Sequence, residues 1–390
     1  MSDIRTERLV AFARDLVAIP SENPPGAEYD ACVARIATEL EACGIPFQLV
    51  ETGDAETPRR AILGEIGDGP ALLYLHGHYD VVPAFSPAQF EPRIAGGMLC
   101  GRGSSDMKGG ISSMVYGARA AAERGARVGL VIVQDEETGG RLGAERLTAL
   151  GRLDRKAAGA ILAEPTWGTI WHAARGAYTL RVTTAGRPAH VGLHYEGESA
   201  FEAAIQAVAA LEPLQAELRD RLSRLAFASV HPRGRESIML VGGVAGGGTS
   251  FNVVPDRFSF TVDRRPNPEE DYDDAKAELE LALEAARRRG LDLRWEVLQD
   301  ARSSVTPPDG PLARALAAAV EDVAEEAPSL TCCPGVLETR VYHALGVPAL
   351  AFGPGLIEAM HGPDEHVPVA NLAAAAEIYA RTAVALSERA

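Results

Sequence analysis

Neither export from the cell nor binding to a polyanion is expected from what the chain has little of. Its five cysteines, Cys32, Cys43, Cys100, Cys332 and Cys333, contain no Cys-x-x-Cys pair, and an odd number cannot complete a disulfide framework. Reduced thiols in a cytoplasmic protein are the expectation. Basic charge is in deficit, with 38 Lys and Arg against 54 Asp and Glu and a formal net charge of -16. That argues against a nucleic-acid partner, whose phosphates require a basic face, and against an anionic membrane surface. Long apolar runs are missing too. The opening MSDIRTERLV scatters charges where a signal peptide has its apolar core, and no run is long enough to cross a bilayer. With 46% hydrophobic and 24% charged residues over 390 positions, the chain is a globular protein of two or three domains at roughly 150 residues each.

Against these absences stands residues 72–83, LLYLHGHYDVVP. An apolar, strand-like run leads straight into His76, Gly77, His78, Tyr79 and Asp80, and strand alternation puts His76, His78 and Asp80 on one face. A neutral imidazole binds a divalent cation through one ring nitrogen while a carboxylate holds its other N–H. His78 and Asp80 have the residue types for that pair.

Periodicity gives helices over 4–19 and 29–43, then short strands at 71–75, 128–133 and 158–162 with a helical stretch at 110–124 between the first two. Strands alternating with helices favour an α/β layered sheet, and ligands in such sheets collect at the carboxyl ends of the strands. From about Gly176 the order becomes strand, helix, two strands, helix, strand, which reads as an inserted split βαβ unit of α+β type. The expected division is a larger domain from 1–175 and 299–390, with the smaller unit at 176–298.

Four further clusters sit where apolar segments meet turns. They are GRGSSDMKGG with Asp106, QDEET with Glu136 and Glu137 after an apolar run, Glu164 before Pro165, and MHGPDEHVP with His361 and Glu365. Adjacent carboxylates at a strand end repel one another unless a cation or solvent screens them. With His78 of the opening run they supply two histidines and at least three carboxylates, a ligand set suited to two zinc-like ions sharing a bridging carboxylate.

In this order the motifs His-x-Asp-Val-Val-Pro, Gly-Arg-Gly-x-x-Asp-Met-Lys-Gly, Asp-Glu-Glu-x-Gly, Glu-Pro-Thr and a late His-x-x-x-Glu resemble a family. It is that of the dinuclear metallohydrolases that include acetylornithine deacetylase, succinyl-diaminopimelate desuccinylase, aminoacylase and related carboxypeptidases. The resemblance implies a mixed-sheet catalytic domain with helices on both faces and a smaller domain for dimerisation and closure. It implies two divalent ions, zinc or cobalt, one on His78 and Glu164 and one on Glu137 and His361, with Asp106 bridging. Asp80 would orient His78, Glu136 would act as general base, and a non-proline cis peptide would follow Asp106. His190, in Gly-Arg-Pro-Ala-His, would reach the neighbouring subunit's site and stabilise an oxyanion, which makes a homodimer the expected partner state. Asn252, Arg265 and Arg340 would contact substrate, although Leu337, Glu338 and Thr339 depart from the Ser/Thr-Asp-x before that last arginine. The expected function is hydrolysis of a linear amide in an N-acyl amino acid, with an exopeptidase on small peptides or acyl-glutamates as the rival. A non-catalytic binding protein on the same fold, or a dinucleotide enzyme using GRGSSD as a phosphate loop, ranks below both.

Overall fold

A computed structural model describes residues 5–54, 56–227 and 231–389, and the chain forms two compact units. The first takes Met1–His172, Val305–Thr331 and Glu338–Ala390; the second takes Ala173–Ser304 and Cys332–Leu337. The division drawn from sequence, 1–175 and 299–390 against 176–298, differs by a few residues at the two crossings, 173–175 and 299–304, and at Cys332–Leu337. The Cys332 N–H donates to the Ala226 carbonyl at 2.7 Å, which ties this short segment to the second unit.

The first unit is built on a mixed sheet. Its strands run in the spatial order Phe47–Glu51, Arg60–Ile66, Arg127–Val133, Leu72–His78, Gly159–Leu162, Ala349–Ala351 and Thr169–Ala174. Leu72–His78 is parallel to both its neighbours and buried at every position. Leu73 and Leu75 point into the main helical core, whereas Tyr74 and His76 turn to Tyr342 on the opposite side. A strand covered on both faces needs apolar residues throughout, which is why this run shows no polar alternation. Helix Thr6–Val17 buries Leu9, Val10, Phe12, Ala13, Leu16 and Val17, a stripe at helical spacing, and each such Leu or Phe contributes about 1.5–3 kcal/mol. Helix Lys108–Glu123 starts hard against the strand ends: a Cβ on Gly110 would stand 2.6 Å from the Ala163 carbonyl oxygen, so only glycine permits that approach.

A small antiparallel sheet of Arg93–Ala95, Met98–Cys100 and His366–Pro368 joins two distant loops. Its hairpin turns at Gly96 and Gly97, with φ of 57° and 79°, the left-handed pair that a tight two-residue turn demands.

The second unit is a four-stranded antiparallel sheet in the order Ile238–Gly247, Arg257–Arg265, Ala177–Ala185, Leu293–Ala301. Helices Ala200–Asp220 and Tyr272–Arg288 pack on it through a core that includes Leu180, Val182, Leu211, Val262, Leu279 and Leu283. The strand and helix order is that of a split βαβ unit. No disulfide joins the cysteines among the described residues, and no helix among them is long and apolar enough to cross a membrane.

Candidate active site

Three adjacent parallel strands deliver the acidic and histidine residues. His78 closes Leu72–His78, Asp135, Glu136 and Glu137 follow Arg127–Val133, and Glu164 follows Gly159–Leu162. Glu136 and Glu137 start a short 3-10 turn, forced by Asp135 at φ 75°. Such left-handed backbone costs an L-residue about 1–3 kcal/mol and persists where its surroundings hold it. Here the Leu142 N–H donates to Asp135 Oδ2 at 3.0 Å and the Thr138 hydroxyl to Oδ1 at 3.0 Å.

Two groups of ligand atoms result. His78, Asp106 and Glu164 form one, and Asp106, Glu137 and His361 the other, with the atoms in each group within 4.8 Å of one another. Asp106 belongs to both. Its Oδ1 lies 3.2 Å from His78 Nε2 and its Oδ2 3.0 Å from His361 Nε2. On the far side of the His78 ring, Nδ1 is 3.0 Å from the Asp80 carbonyl oxygen and 3.4 Å from its carboxylate, which leaves Nε2 facing inward, where a cation would take the place of its proton. Glu137 accepts the Val82 N–H at 3.2 Å and faces His361 at 3.4 Å. The Glu136 carboxylate accepts no hydrogen bond among the described residues, although its backbone N–H, like that of Glu137, points to the Asp80 carboxylate at 3.4 and 3.2 Å respectively.

The electrostatics show a hollow that is over-supplied with negative charge. Burial first, and then the negative charge of Asp106, push the Glu164 carboxyl up to about 8. Burial likewise raises Glu136 and Glu137. Burial would also raise Asp106, but hydrogen bonds to His361 and His78 win and hold it below the usual carboxylate range. The Asp106 bond in turn lifts His361 to about 10. Carboxylates that must share protons or borrow imidazolium charge are the donors a pair of cations would satisfy, and this mixed nitrogen and oxygen set fits zinc-like ions.

A family model described as peptidase family M20/M25/M40 matches residues 74–385. The chain belongs to the M20/M25/M40 peptidase family. It is therefore a metal-dependent amidohydrolase. This M20 chain is 30% identical to the succinyl-diaminopimelate desuccinylase of Methylobacterium sp. (strain 4-46), with 95% of this chain and 94% of the relative covered. Its fold is similar to that of an M20 family metallo-carboxypeptidase from Sulfolobus solfataricus, with a TM-score of 0.81, 15% identity and 97% and 99% of the two chains covered. It is also similar to a dinuclear metal binding peptidase from the M20 family of Bacillus subtilis, at TM-score 0.69, 18% identity and 98% of each chain.

The M20 site rests on residues to which sequence assigned no part. Asn23 Nδ2 donates to Asp80 Oδ2 at 2.9 Å and to Thr138 Oγ1 at 3.0 Å, and so joins the His78 support to the Glu136 turn. A polar residue inside a proline-rich helix end carries no local signal for this. Glu365 is buried, accepts the backbone N–H groups of Gly103, Ser105 and Asp106 at 3.0 Å each, and pairs with Arg102. Its place in the late His-x-x-x-Glu motif was the available signal. His76 lies away from both ligand groups, 2.6 Å from Glu338 and 2.9 Å from the Tyr342 hydroxyl. The cis peptide stands at Asp106–Met107 as expected. His190, Asn252 and Arg265 belong to the second unit. There the Arg265 Nε–H is shared by both Asp263 oxygens at 2.9 Å, and Asn252 accepts the Ser250 hydroxyl at 2.7 Å. Arg340 differs from expectation. It is nearly buried and engaged, with Nη2 at 2.8 Å from the Gly139 carbonyl and 3.0 Å from Glu145.

Two outcomes follow from this geometry. Asn23→Ala leaves Asp80 and Thr138 short of a donor, which lowers stability by about 1–3 kcal/mol and kcat by about tenfold; a thermal melt and steady-state kinetics check both. The second concerns pH. Glu164 keeps its proton to about pH 8 and His361 to about 10, against ordinary values of about 4.3 and 6.5. Between these limits the folded chain binds more protons than the unfolded one, so the stability they give the metal-free protein is lost as pH rises from about 4 through 8 for Glu164 and from about 6.5 through 10 for His361. Zinc binding at pH 7 then releases protons. Calorimetric titration in buffers of different ionisation enthalpy measures the release, and a result independent of buffer would refute the coupling.

Proposed function

We propose that this chain hydrolyses the linear amide bond of N-acyl amino acids, in the manner of a deacetylase, desuccinylase or aminoacylase. Zinc, or cobalt in its place, would be held as two ions per chain by His78 and Glu164 on one side and Glu137 and His361 on the other, with Asp106 between them. The observation that carries this reading is Asp106, whose two oxygens each face a different histidine at 3.2 and 3.0 Å. Such a pair of cations supplies polarisation of the scissile carbonyl and a lowered pKa for the attacking water.

The chain's own groups do the rest. Glu136, whose carboxylate is unengaged and whose proton affinity burial raises, takes in its ionised form the proton of the attacking water and returns it to the leaving nitrogen. Glu137 cannot share that work, because Val82 and His361 hold both its oxygens. Asp80 fixes the His78 ring and the start of the Glu136 turn together. His190 of the partner subunit would donate to the developing oxyanion. What supports this is the ring's tautomer: Nδ1 accepts the Gly192 N–H at 3.1 Å, so a neutral ring carries its proton on Nε2. The dimer this requires is supported by the exposed apolar side chains Val191, Leu193, Tyr195 and Phe251 of the same unit. Asn252 and Arg265 would contact substrate, and cysteines that form no disulfide among the described residues suit the cytoplasm.

The test is metal content per chain on purified protein, with turnover of N-acetyl, N-succinyl and N-carbamoyl amino acids and of dipeptides before and after chelation. About two ions, with activity lost to chelator and restored by zinc or cobalt, supports the proposal. Preference for dipeptides or acyl-glutamates would instead select an exopeptidase, the reading favoured by the likeness to the carboxypeptidase fold. Metal without hydrolysis of any amide would overturn both.

A further inference from the structure

We infer that Arg340 is a positioning residue for the turn that carries Glu136 and Glu137, and not the clamp on a substrate carboxylate that family resemblance implies. The inference rests on the amide-hydrolase reading only for what the turn does; the contacts themselves are independent of it.

Arg340 lies in the first turn of helix Thr339–Ala344 and is 7% exposed. Its Nη2 donates to the Gly139 carbonyl at 2.8 Å and to Glu145 Oε1 at 3.0 Å. Gly139 is the residue at which the Glu136–Thr138 turn ends, and it and Gly140 both have positive φ, 106° and 71°. The start of the helix is packed tightly against that turn. A Cβ on Gly140 would stand 2.3 Å from Glu338 Oε1 and 3.4 Å from Arg340 Nη2. Glu338 meanwhile fastens the same helix to the strand of His78, through His76 at 2.6 Å. The segment 338–340 therefore grips two neighbouring ligand-bearing elements, one through Glu338 and the other through Arg340. Asp80 and Asn23 hold the opening of the turn; Arg340 holds its close.

A clamp needs a guanidinium whose charge and paired donors are offered to the ligand. Here a carboxylate of the protein, Glu145, already occupies Nη2 alongside a backbone carbonyl. A substrate carboxylate bound through Nη2 would compete with both and loosen the Gly139 turn as it bound. Arg340 itself is buried although Glu145 is partly exposed, and a buried guanidinium left without its partners is costly.

The test uses the zinc-loaded full chain and the variants Arg340→Lys and Glu145→Gln, with two readouts. The first is hydrogen–deuterium exchange of the peptide covering 134–142 in the absence of substrate. Exchange about tenfold faster in both variants is expected, and unchanged exchange overturns the inference. The second is turnover of the best N-acyl amino acid and of its primary carboxamide. Positioning predicts that kcat falls by roughly 10- to 100-fold on both substrates, with KM and the acid-to-amide ratio kept within about twofold. A KM that rises for the acid alone, with loss of the preference for acid over amide, restores the clamp. If wild type hydrolyses neither substrate, the amide-hydrolase reading fails and the exchange arm still decides the role of Arg340.

Discussion

Glu136→Gln is expected to keep about two bound metal ions and to lower kcat by roughly 10²- to 10⁴-fold, the span of a removed general base. The expectation comes from the different fates of two adjacent acids. Glu137 has one oxygen on the Val82 N–H and the other facing His361, and its side chain is buried. Glu136, one residue earlier, has a carboxylate that accepts no hydrogen bond among the described residues. Burial, opposed by His78 and reinforced by Glu164 and Glu137, holds its proton affinity well above that of a free carboxylate. A group with those properties moves protons, and a neutral amide of the same shape cannot. Glu137→Gln should behave in the opposite way and lose one metal. Metal analysis beside kcat separates the two, and equal metal loss in both variants would sink the division of roles.

Asp106→Ala should be the more damaging change, since it removes the group common to both ligand sets. The two histidines then lose the anion to which each is hydrogen-bonded, and Glu137 and Glu164 are left to repel each other across the hollow. Several kcal/mol of transition-state stabilisation go with the cations, so activity should fall by roughly 10³-fold or more and metal content below one ion per chain. Retention of both ions by Asp106→Ala would show that the ligand sets do not depend on a bridge.

The parts of this molecule that could be read from sequence are those fixed by local pattern. The run before His78 is apolar throughout because the strand is covered on both faces, and the positions of Glu136 and Glu164 follow from strands that end together. The edge strand Phe47–Glu51 was not anticipated, since four of its five residues are at most partly buried and carry no alternation. The hairpin at Gly96 and Gly97 has its Gly-Gly signal, but the strand Arg93–Ala95 is three residues long and exposed at every position, Ile94 included, so it has no buried face to set an alternation. Asn23 and Arg340 belong to another category. Each acts through partners far away in sequence, 195 residues in the case of Arg340 and Glu145, and no periodicity encodes such a contact. Resemblance supplied a role for Arg340 that its own surroundings do not favour.

The small sheet that pairs Met98–Cys100 with His366–Pro368 has a consequence for how the protein comes into being. His78, Asp106, Glu137 and Glu164 all leave the ribosome in the first half of synthesis. The loop that aims Asp106 is nevertheless held by Glu365, and His361 is made only four residues before it. A nascent chain therefore displays these acids and a histidine without the support of the Asp106 loop and without His361 until translation is nearly complete. Capture of metal belongs to the finished polypeptide, and a chain truncated before residue 361 would be a poor competitor for the cell's zinc or cobalt however well its first strands had folded.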